Sequence, residues 1–316
     1  MQYRHVPVMV KEVIDYLNCS SGKAYVDGTL GGGGHAQAIL DAIGAEGCLV
    51  GIDRDPDAIA YAGESFHRYK PNVQIFHDNY TNLPQILSRL HIAGVDGILL
   101  DLGLSLYQLE GSGRGFSFMR EEPLDMRMNP EQGHTAEAIV NRLSEKELAD
   151  IIGRYGEESW AVRIAKSIVA ARRQQAIRSS LQLAEVVKKA IPARHRRGRI
   201  HPATRTFQAI RIAVNQELEA LERFLDEAVN FLNPGGRLCI LSFHSLEDRI
   251  VKERFKALAR GCNCPPHFPQ CVCGKTPQVS ILTKKPVRPG QAEVQANPKA
   301  RSARLRAAER LDNSQS

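Results

Sequence analysis

Short apolar runs bounded by Gly, Pro or Asp recur in the first and last thirds of the chain. Runs of this kind are typical of buried parallel strands, which read as continuous hydrophobic stretches. Segments with helical spacing stand between them, and Pro56 suits the first turn of one such helix. The alternation predicts an α/β fold, in which helices cover both faces of a parallel sheet. The predicted strands are residues 24–27, 48–53, 73–77, 97–102, 237–243 and 278–283, and the predicted helices include residues 36–43, 217–232 and 246–259.

The alternation stops between the fourth and fifth predicted strands. Ser144 and Glu147 have the spacing of a capping box, which predicts a helix from there to Tyr155. Further amphipathic helices are predicted at residues 159–176 and 180–191. A helical insertion into the sheet domain explains this pattern most simply. The predicted domains are residues 1–110 with 216–316, and an inserted helical domain at residues 111–215.

The composition is that of an ordinary globular chain, with 43% hydrophobic and 24% charged residues among 316. The N-terminal stretch lacks the apolar run of a signal peptide, and no stretch approaches the ~20 consecutive apolar residues of a membrane helix. We therefore predict a cytoplasmic protein without a membrane partner. The tail from Ala296 onward is Arg-rich and polar, so it is predicted to be helical or disordered, either solvated or in contact with RNA.

The net charge of +7 is concentrated in one segment. Residues 163–211 hold 13 Lys and Arg residues and a single acid, Glu185, so the rest of the chain is acidic overall. A run of charge is often only a solvated helix face. A concentration on this scale, with the local run at residues 194–199, is better explained by contacts with nucleic-acid phosphates.

The stretch DGTLGGGGH at residues 27–35 and the stretch GIDRD at residues 51–55 read as strand, glycine turn, helix and second strand. Such a unit binds an adenosine-bearing cofactor, with Asp53 placed for the ribose and the glycines allowing close approach of the backbone. The glycine spacing also fits a dinucleotide site. Asp27 decides between the two, because a carboxylate there attracts the cationic tail of S-adenosylmethionine and repels a pyrophosphate. The sequence therefore favours a methyl donor over NAD.

Four more candidate residues follow predicted strands. Asp101 ends the fourth strand, at the edge where open α/β sheets hold reacting groups, and it touches the cofactor, a target amine or both, or else caps a helix. Gln108 is next within reach of the same crevice. Tyr80 either packs on an adenine or anchors the core. His244 follows the fifth strand, where it is a catalytic candidate that binds phosphate or relays a proton, or a hydrogen-bonded structural residue.

Basic residues mix with aromatic and apolar ones in three motifs. RGFSF at residues 114–118 and PLDMRM at residues 123–128 combine an arginine with groups that stack on an extruded base or pack in a core. HPATRTFQ at residues 201–208 places Arg205 and Gln208 on one helical face. The predicted RNA contacts are Arg114, Arg127, Arg196, Arg197, His201 and Arg205.

Two Cys-x-Cys pairs lie within twelve residues of each other, at Cys262, Cys264, Cys271 and Cys273. Four thiolates suit a tetrahedral zinc ion, and the reducing cytoplasm argues against disulfides. The spacing is tighter than the usual two-residue gap, so structural zinc and reduced, unliganded cysteines both remain open. The cysteines predicted to be small buried residues are Cys19, Cys48 and Cys239.

Together these motifs resemble the bacterial 16S ribosomal RNA cytosine-N4 methyltransferase H family (RsmH, also called MraW) over nearly the whole chain. The resemblance implies a Rossmann-like class I methyltransferase sheet with an inserted helical substrate domain. It also implies S-adenosylmethionine as the methyl donor and a cytidine amine in the decoding region of 16S ribosomal RNA, in the small ribosomal subunit, as the target. The positions that it assigns to the cofactor are Gly33, Gly34, His35, Asp53, Tyr80, Asp101 and Gln108.

The chain departs from the pattern of that family at two positions. Leu106 stands where the family commonly has a second Ser, and Glu110 stands where it favours Asp. Both residues fall in the loop beside the target base, and neither belongs to the cofactor set.

Other functions remain open from the residues alone. A non-catalytic RNA-binding assembly factor with a vestigial fold needs no intact set of cofactor acids. The function of an NAD-dependent oxidoreductase would not explain the strongly basic segment at residues 163–211. A DNA amino-methyltransferase typically carries Pro-Pro-aromatic after the fourth-strand acid, where this chain has Leu102, Gly103 and Leu104. A homodimer is compatible with the sequence, and no motif decides the oligomeric state.

Overall fold

The computed structural model describes residues 7–69, 71–196, 201–261, 264, 270 and 273–312. The chain divides into two compact units, one made of Met1–Gly103 with Glu219–Ser316 and the other of Leu104–Leu218. The second unit interrupts the first in sequence, and the predicted insertion at residues 111–215 falls within its bounds.

The first unit is built on a sheet that has seven strands in the described part of the chain. The strands are β1 Ala24–Asp27, β2 Cys48–Asp53, β3 Val73–His77, β4 Val95–Asp101, β5 Leu232–Ser242, β6 Val279–Ile281 and β7 Arg304–Arg310. Their order is β3-β2-β1-β4-β5-β7-β6, with β1 to β5 parallel and β7 antiparallel to both of its neighbours. This is a Rossmann-like sheet in which antiparallel β7 is inserted between β5 and β6, and the predicted α/β fold class is confirmed.

Helices connect the strands and make up most of the second unit. They are α1 Val10–Leu17, α2 Gly34–Ile43, α3 Pro56–Ser65, α4 Leu83–Arg89, α5 Leu106–Glu110, α6 Ala136–Arg142, α7 Glu145–Gly156, α8 Ala161–Gln174, α9 Ser180–Ala190, α10 Thr204–Asn215, α11 Glu217–Glu227, α12 Ser245–Arg260 and α13 Gln291–Ala296. Local sequence explains several starts: Asp55 caps α3 by accepting a hydrogen bond from the Asp57 amide, and Pro56 occupies its first turn.

Successive residues of the central strands enter different cores. Leu100 and Ile240 pack in one apolar cluster with the helices on one face of the sheet, whereas Leu99 and Leu241 pack in a second cluster. All four side chains are completely buried. Because neighbouring residues of a strand point to opposite faces, a sheet covered on both sides needs apolar residues at every position. This explains why continuous apolar runs predicted these strands well.

The C-terminal tail does not match its prediction. Arg304–Arg310 is β7, an interior strand between β5 and β6, rather than a helical or disordered end. Leu305, Ala307 and Ala308 are buried, and Arg306 is buried with its Nε 2.6 Å from Asp248 Oδ1. The strand was missed because arginines and alanines are weak strand formers in sequence, and because the partner of the buried arginine comes from a distant helix.

The second unit is a helical body with its own apolar core. The predicted capping box is confirmed, since Ser144 Oγ accepts from the Glu147 amide and the Glu147 side chain accepts from the Ser144 amide at the start of α7. Asn215, at the end of α10, accepts from the Met128 amide and donates to the Met126 carbonyl. This side chain thereby fixes the methionine loop inside the unit.

Three cysteines were predicted to be buried, and two of these predictions are wrong. Only Cys239, in β5, is fully buried, whereas Cys19 and Cys48 are half-buried at the ends of elements. Among the residues that the structure describes, no helix combines the length and the apolar character needed to cross a membrane.

We expect Gly33→Ala to lower the free energy of unfolding by about 1–3 kcal/mol, because alanine at this left-handed position is strained. Gly33 has φ +72°, and an added Cβ would lie 2.6 Å from Cζ of Phe66. Gly63→Ala is the matched control: Gly63 is exposed in α3, no described atom lies within 4 Å of the added Cβ, and a gain of about 0.5–1 kcal/mol is expected. Urea unfolding measures both variants, and equal effects would contradict the requirement for glycine at position 33.

Candidate active site

The carboxyl ends of three neighbouring strands each carry an aspartate. Asp27 is the last residue of β1, Asp53 of β2 and Asp101 of β4. The register pairs Asp27 with Gly51 on one side and Leu99 on the other, so Asp53 and Asp101 lie two residues further along the flanking strands. The sheet thus gathers three carboxyl groups at the edge where open α/β folds bind ligands.

Asp27 is almost completely buried, with 1% of its surface exposed. Its Oδ1 accepts a hydrogen bond from the Thr29 amide at 3.1 Å. Burial raises the pKa of Asp27 to about 7, the neighbouring His35 ring partly offsets this rise, and the charges of Asp101 and Asp53 add to it. A cationic ligand beside these groups would stabilise their charged forms, so the site favours positive charge.

Two backbone amides hold Asp53. The Gly31 amide donates to Oδ2 at 2.7 Å, and the Asp55 amide donates to Oδ1 at 2.8 Å. Burial outweighs these hydrogen bonds and raises the pKa of Asp53 to about 6. Each carboxylate oxygen has a second lone pair, so the group retains an acceptor site on each oxygen. Two adjacent ribose hydroxyls are donors that match this pair of oxygens.

Asp101 has one carboxylate oxygen that receives no donor from the described residues. Its Oδ1 is buried and has no hydrogen-bond partner there. The Asp101 backbone amide donates to Thr29 Oγ1 at 2.6 Å, which ties the end of β4 to the turn after β1. Because a buried acceptor without a donor is costly, this oxygen marks a place for a donor from a ligand.

His35 lies between the backbone and Asp101. Its Nε2 is 2.8 Å from the Val8 carbonyl oxygen, so Nε2 carries a proton and donates it. Its Nδ1 is 3.5 Å from Asp101 Oδ2. A neutral ring with its proton on Nε2 presents only a lone pair to the carboxylate, whereas the imidazolium donates to both partners. The His35 ring therefore links the Val8 backbone to the carboxylate of Asp101.

Sequence reasoning missed Thr29 and Val8 as parts of this site. Thr29 carried a usable signal, because a hydroxyl two residues after the acid that ends a strand is typical of turns closed by side chains. Val8 carried none, since it contributes only its backbone carbonyl.

Packing within the protein already requires glycine at two of the positions predicted to contact the cofactor, Gly33 and Gly34. Gly33 caps the start of α2 with a positive φ, and its added Cβ would meet the Phe66 ring. A Cβ added to Gly34 would lie 2.6 Å from Cγ of Pro7. These contacts hold the turn in shape, and close approach of a cofactor to the turn stays a prediction.

Tyr80 and Gln108 both have structural partners. Tyr80 is buried in the core after β3, with its ring edge-on to Phe224 at 5.3 Å between centroids. Of its two predicted roles the structure describes the core anchor, and an adenine contact stays a prediction. Gln108 belongs to the second unit, where its side chain accepts from the Ser105 amide in the capping box of α5. Its contact with a cofactor also stays a prediction.

The arginines predicted to bind RNA form contacts within the second unit. Arg114 is buried and donates through Nη1 to the carbonyls of Arg127 and Met128, at 3.1 and 2.8 Å. Arg127 forms a two-bond pair with Asp125, through Nε at 2.8 Å and Nη2 at 2.7 Å. These guanidinium groups hold the two predicted motifs together, and their contact with RNA stays a prediction.

Other basic side chains in the same unit donate hydrogen bonds to backbone carbonyls at the ends of helices. Arg196 donates to the Ile191 and Lys189 carbonyls at the end of α9. Arg205 donates to the Glu157 carbonyl, and Gln208 donates to the Tyr155 carbonyl, so both reach the end of α7 as their shared helical face predicted. Arg197 lies outside the described residues.

His201 stacks on Phe118, with ring centroids 4.5 Å apart and planes inclined by 14°. Its Nδ1 accepts from the Ala203 amide, which makes the ring part of the turn before α10. Burial lowers the pKa of His201, and the charge of Lys188 lowers it further. The ring thus packs on Phe118 from an exposed position, and its contact with RNA stays a prediction.

His244 caps the long helix after β5. Its Nδ1 accepts from the Glu247 amide at 3.4 Å, and the Glu247 side chain accepts from the His244 and Phe243 amides. The ring's Nε2 lies 3.0 Å from Glu247 Oε1. The structure therefore gives His244 the structural role that was weighed against catalysis, and a proton relay through it stays a prediction.

The predicted zinc cluster falls largely outside the described residues. Cys262 and Cys271 are not among them, while Cys264 and Cys273 are half-buried. Zinc at these four cysteines stays a prediction.

The strand order, the antiparallel seventh strand and the acids at the carboxyl edge define a methyltransferase of the class I fold. The chain belongs to the MraW methylase family, whose profile matches residues 2–311. A ribosomal RNA small subunit methyltransferase H from Halothermothrix orenii is 52% identical over 98% of this chain and 99% of its own length. One from Desulforapulum autotrophicum is 55% identical over 98% of this chain and 100% of its own. Among solved structures, a ribosomal RNA methylase from Streptococcus thermophilus aligns over 98% of this chain and 100% of its own, at 10% identity and a TM-score of 0.41.

We expect Asp27→Asn to change how stability depends on pH. With its pKa raised to about 7, Asp27 in the folded protein holds a proton that an unfolded aspartate releases near pH 4. The folded state therefore loses stability as pH rises from about 4 to 7, by at most about 1.4 kcal/mol per pH unit for this group. Asparagine keeps an oxygen for the Thr29 amide and does not titrate. Urea unfolding between pH 5 and 8 should show a flatter profile, and an unchanged slope would contradict the burial effect.

Proposed function

We propose that this protein transfers a methyl group from S-adenosylmethionine to the exocyclic N4 of a cytidine in the decoding region of 16S ribosomal RNA. Family membership and full-length relatives named as small subunit ribosomal RNA methyltransferases support the reaction and the class of substrate. The cytidine and its place in the RNA rest on the resemblance of the sequence motifs to the cytosine-N4 family.

One observation supports roles for particular residues. Asp101 Oδ1 is buried and receives no hydrogen bond from the described residues, and Asp101 lies in a cluster with Asp27 and Asp53. A set of carboxylates fits a cofactor that has a sulfonium and an ammonium group, because both charges offset the cost of burial. The same set repels a pyrophosphate. The donor chemistry of the residues therefore fits S-adenosylmethionine better than a dinucleotide.

Each acid takes a separate role in binding. Asp53, which retains an acceptor site on each oxygen, would accept the two ribose hydroxyls. Asp27 would face the cationic amino-acid tail. When bound, the cofactor supplies a methyl group already activated for transfer. The remaining residues proposed to surround it are Gly33, Gly34, His35, Tyr80, Asp101 and Gln108.

Asp101 would prepare the target amine. A cytosine amine is a poor nucleophile because its lone pair is delocalised into the ring. Asp101 Oδ1, accepting an N–H of that amine, would localise the lone pair on nitrogen and orient it toward the methyl carbon. Methyl transfer would form the nitrogen–carbon bond and break the donor's carbon–sulfur bond, and Asp101 or water would take the released amine proton. Orientation of this kind supplies a large part of the rate acceleration.

The second unit would bind the RNA. The basic segment at residues 163–211 lies in it, and several of its cations are exposed without side-chain contacts to described residues. Exposed cations of this kind release counterions when they meet phosphates. The candidates for these contacts are Arg163, Lys166, Arg173 and Lys189.

The reaction is tested by incubating the protein and labelled S-adenosylmethionine with small ribosomal subunits from cells that lack this activity. Mass spectrometry of the digested RNA should show a new N4-methylated cytidine. Asp53→Ala should abolish the transfer by weakening cofactor binding, while Asp15→Ala, an exposed acid on α1, should leave it unchanged. Tight cofactor binding without transfer to subunits or to free ribosomal RNA would overturn the proposed substrate.

Asp101→Asn tests the orienting role separately. The amide keeps the size of the side chain but loses its charge, so we expect kcat to fall about 100-fold or more. Cofactor affinity, measured by calorimetry, should fall much less if Asp101 acts mainly on the amine. Asp15→Asn serves as the matched control. Turnover that equals that of the native protein would exclude Asp101 as the acceptor.

A further inference from the structure

A groove lined by cations lies on the first unit, between α12, β6 and β7. Its volume is about 560 Å³. Phe255 and Val279 form its buried floor, and the half-buried side chains of Ile281 and Leu311 give it an accessible apolar surface. The basic residues that line it are Lys252, Lys256, Lys284 and Arg306.

The groove is separate from the carboxylates at the sheet edge. In the sheet, β5 and β7 lie between β4 and β6, which places β6 about 14 Å from β4 at the usual strand spacing. Along α12, Lys252 and Lys256 come seven and eleven residues after Ser245, about 10 and 16 Å from the start of the helix. The groove therefore lies outside the site proposed for methyl transfer.

Positive charge exceeds negative charge around the groove. No Asp or Glu is among the described residues that line the groove. Arg306 forms an ion pair with Asp248. Lys252 forms another with the exposed Glu253, in which Nζ lies 2.9 Å from Oε1. Lys256 and Lys284 are exposed and form no ion pair with any described residue. The hydrogen bond from Lys252 lowers the pKa of Glu253 and the charge of Lys256 lowers it further, so that acid partly compensates Lys256, whereas no acid among the described lining residues lies beside Lys284. The groove therefore keeps an excess of positive charge, on a unit that lies outside the basic segment of the chain.

Single-stranded nucleic acid combines the two features that this groove complements. Its phosphates match the ammonium groups, and its bases and riboses match an apolar surface. A small inorganic anion would leave the apolar surface unused, and a volume of this size suits a ligand of one or two nucleotides. We propose that the groove binds a single-stranded segment of the RNA substrate away from the methylated nucleotide, an inference that rests on the proposed function.

The test compares two double charge reversals. Lys256→Glu with Lys284→Glu alters the groove at exposed side chains. Lys11→Glu with Arg89→Glu makes the same change in net charge at exposed positions on α1 and α4. We measure KM for small ribosomal subunits, kcat, cofactor affinity, and the slope of log affinity for ribosomal RNA against log salt concentration.

The groove variant should raise KM for subunits about 10-fold or more, and the salt slope should fall by about 1.5 as two phosphate contacts are lost. The control should change KM less than 2-fold, and kcat and cofactor affinity should stay native in both variants. Equal effects of the two variants, or no effect of the groove variant, would overturn the groove as an RNA site. Absence of methyl transfer by the native protein would instead overturn the proposed function.

Discussion

Partial or complete desolvation of three neighbouring carboxylates at one sheet edge, with Asp27 fully buried and Asp53 and Asp101 half-buried, is the constraint on which the rest of the site depends. An ionised carboxylate loses several kcal/mol of solvation when it leaves water, unless donors replace the water. Here the donors are backbone amides of the glycine turn and of the loop after β2, which serve Asp27 and Asp53. The turn can present those amides only because Gly31 and Gly33 have positive φ angles. The glycines, the acids and the start of α2 are therefore one physical unit.

The amides do not offset the whole cost, since the pKa values of Asp27 and Asp53 stay above those of exposed acids. A cationic ligand that binds beside these carboxyl groups would therefore offset part of the remaining desolvation cost. Carboxyl groups that are held in place before binding need little reorganisation when a cation arrives, which is the main source of electrostatic stabilisation in enzymes. Native stability is lower than it would be with apolar residues there, a common cost of a functional site.

The sequence predicted what depends on local patterns. Residues 24–27, 48–53 and 73–77 are strands with the predicted bounds, because short, mainly apolar runs mark strands that helices cover on both faces. Strand-ending acids were likewise predicted from their place after such runs. β7 was missed because its burial depends on Asp248, 58 residues away from Arg306. The backbone carbonyl that orients His35 was missed because a carbonyl leaves no trace in residue identity.

The arginines show why charge in a sequence does not specify its partner. A guanidinium has five donors in a planar fork, so it can hold two carbonyls at once, as Arg114 and Arg196 do. A guanidinium group with these hydrogen bonds stabilises the fold, and its positive charge still adds to the electrostatic potential of the unit. Local bonding and long-range attraction are therefore compatible in the same residue. Lysines, with a compact charge on a flexible stem, are less suited to holding two carbonyls at once. Lys256 and Lys284 form no hydrogen bond or ion pair among the described residues, so their charges remain available to the RNA proposed to bind in the groove.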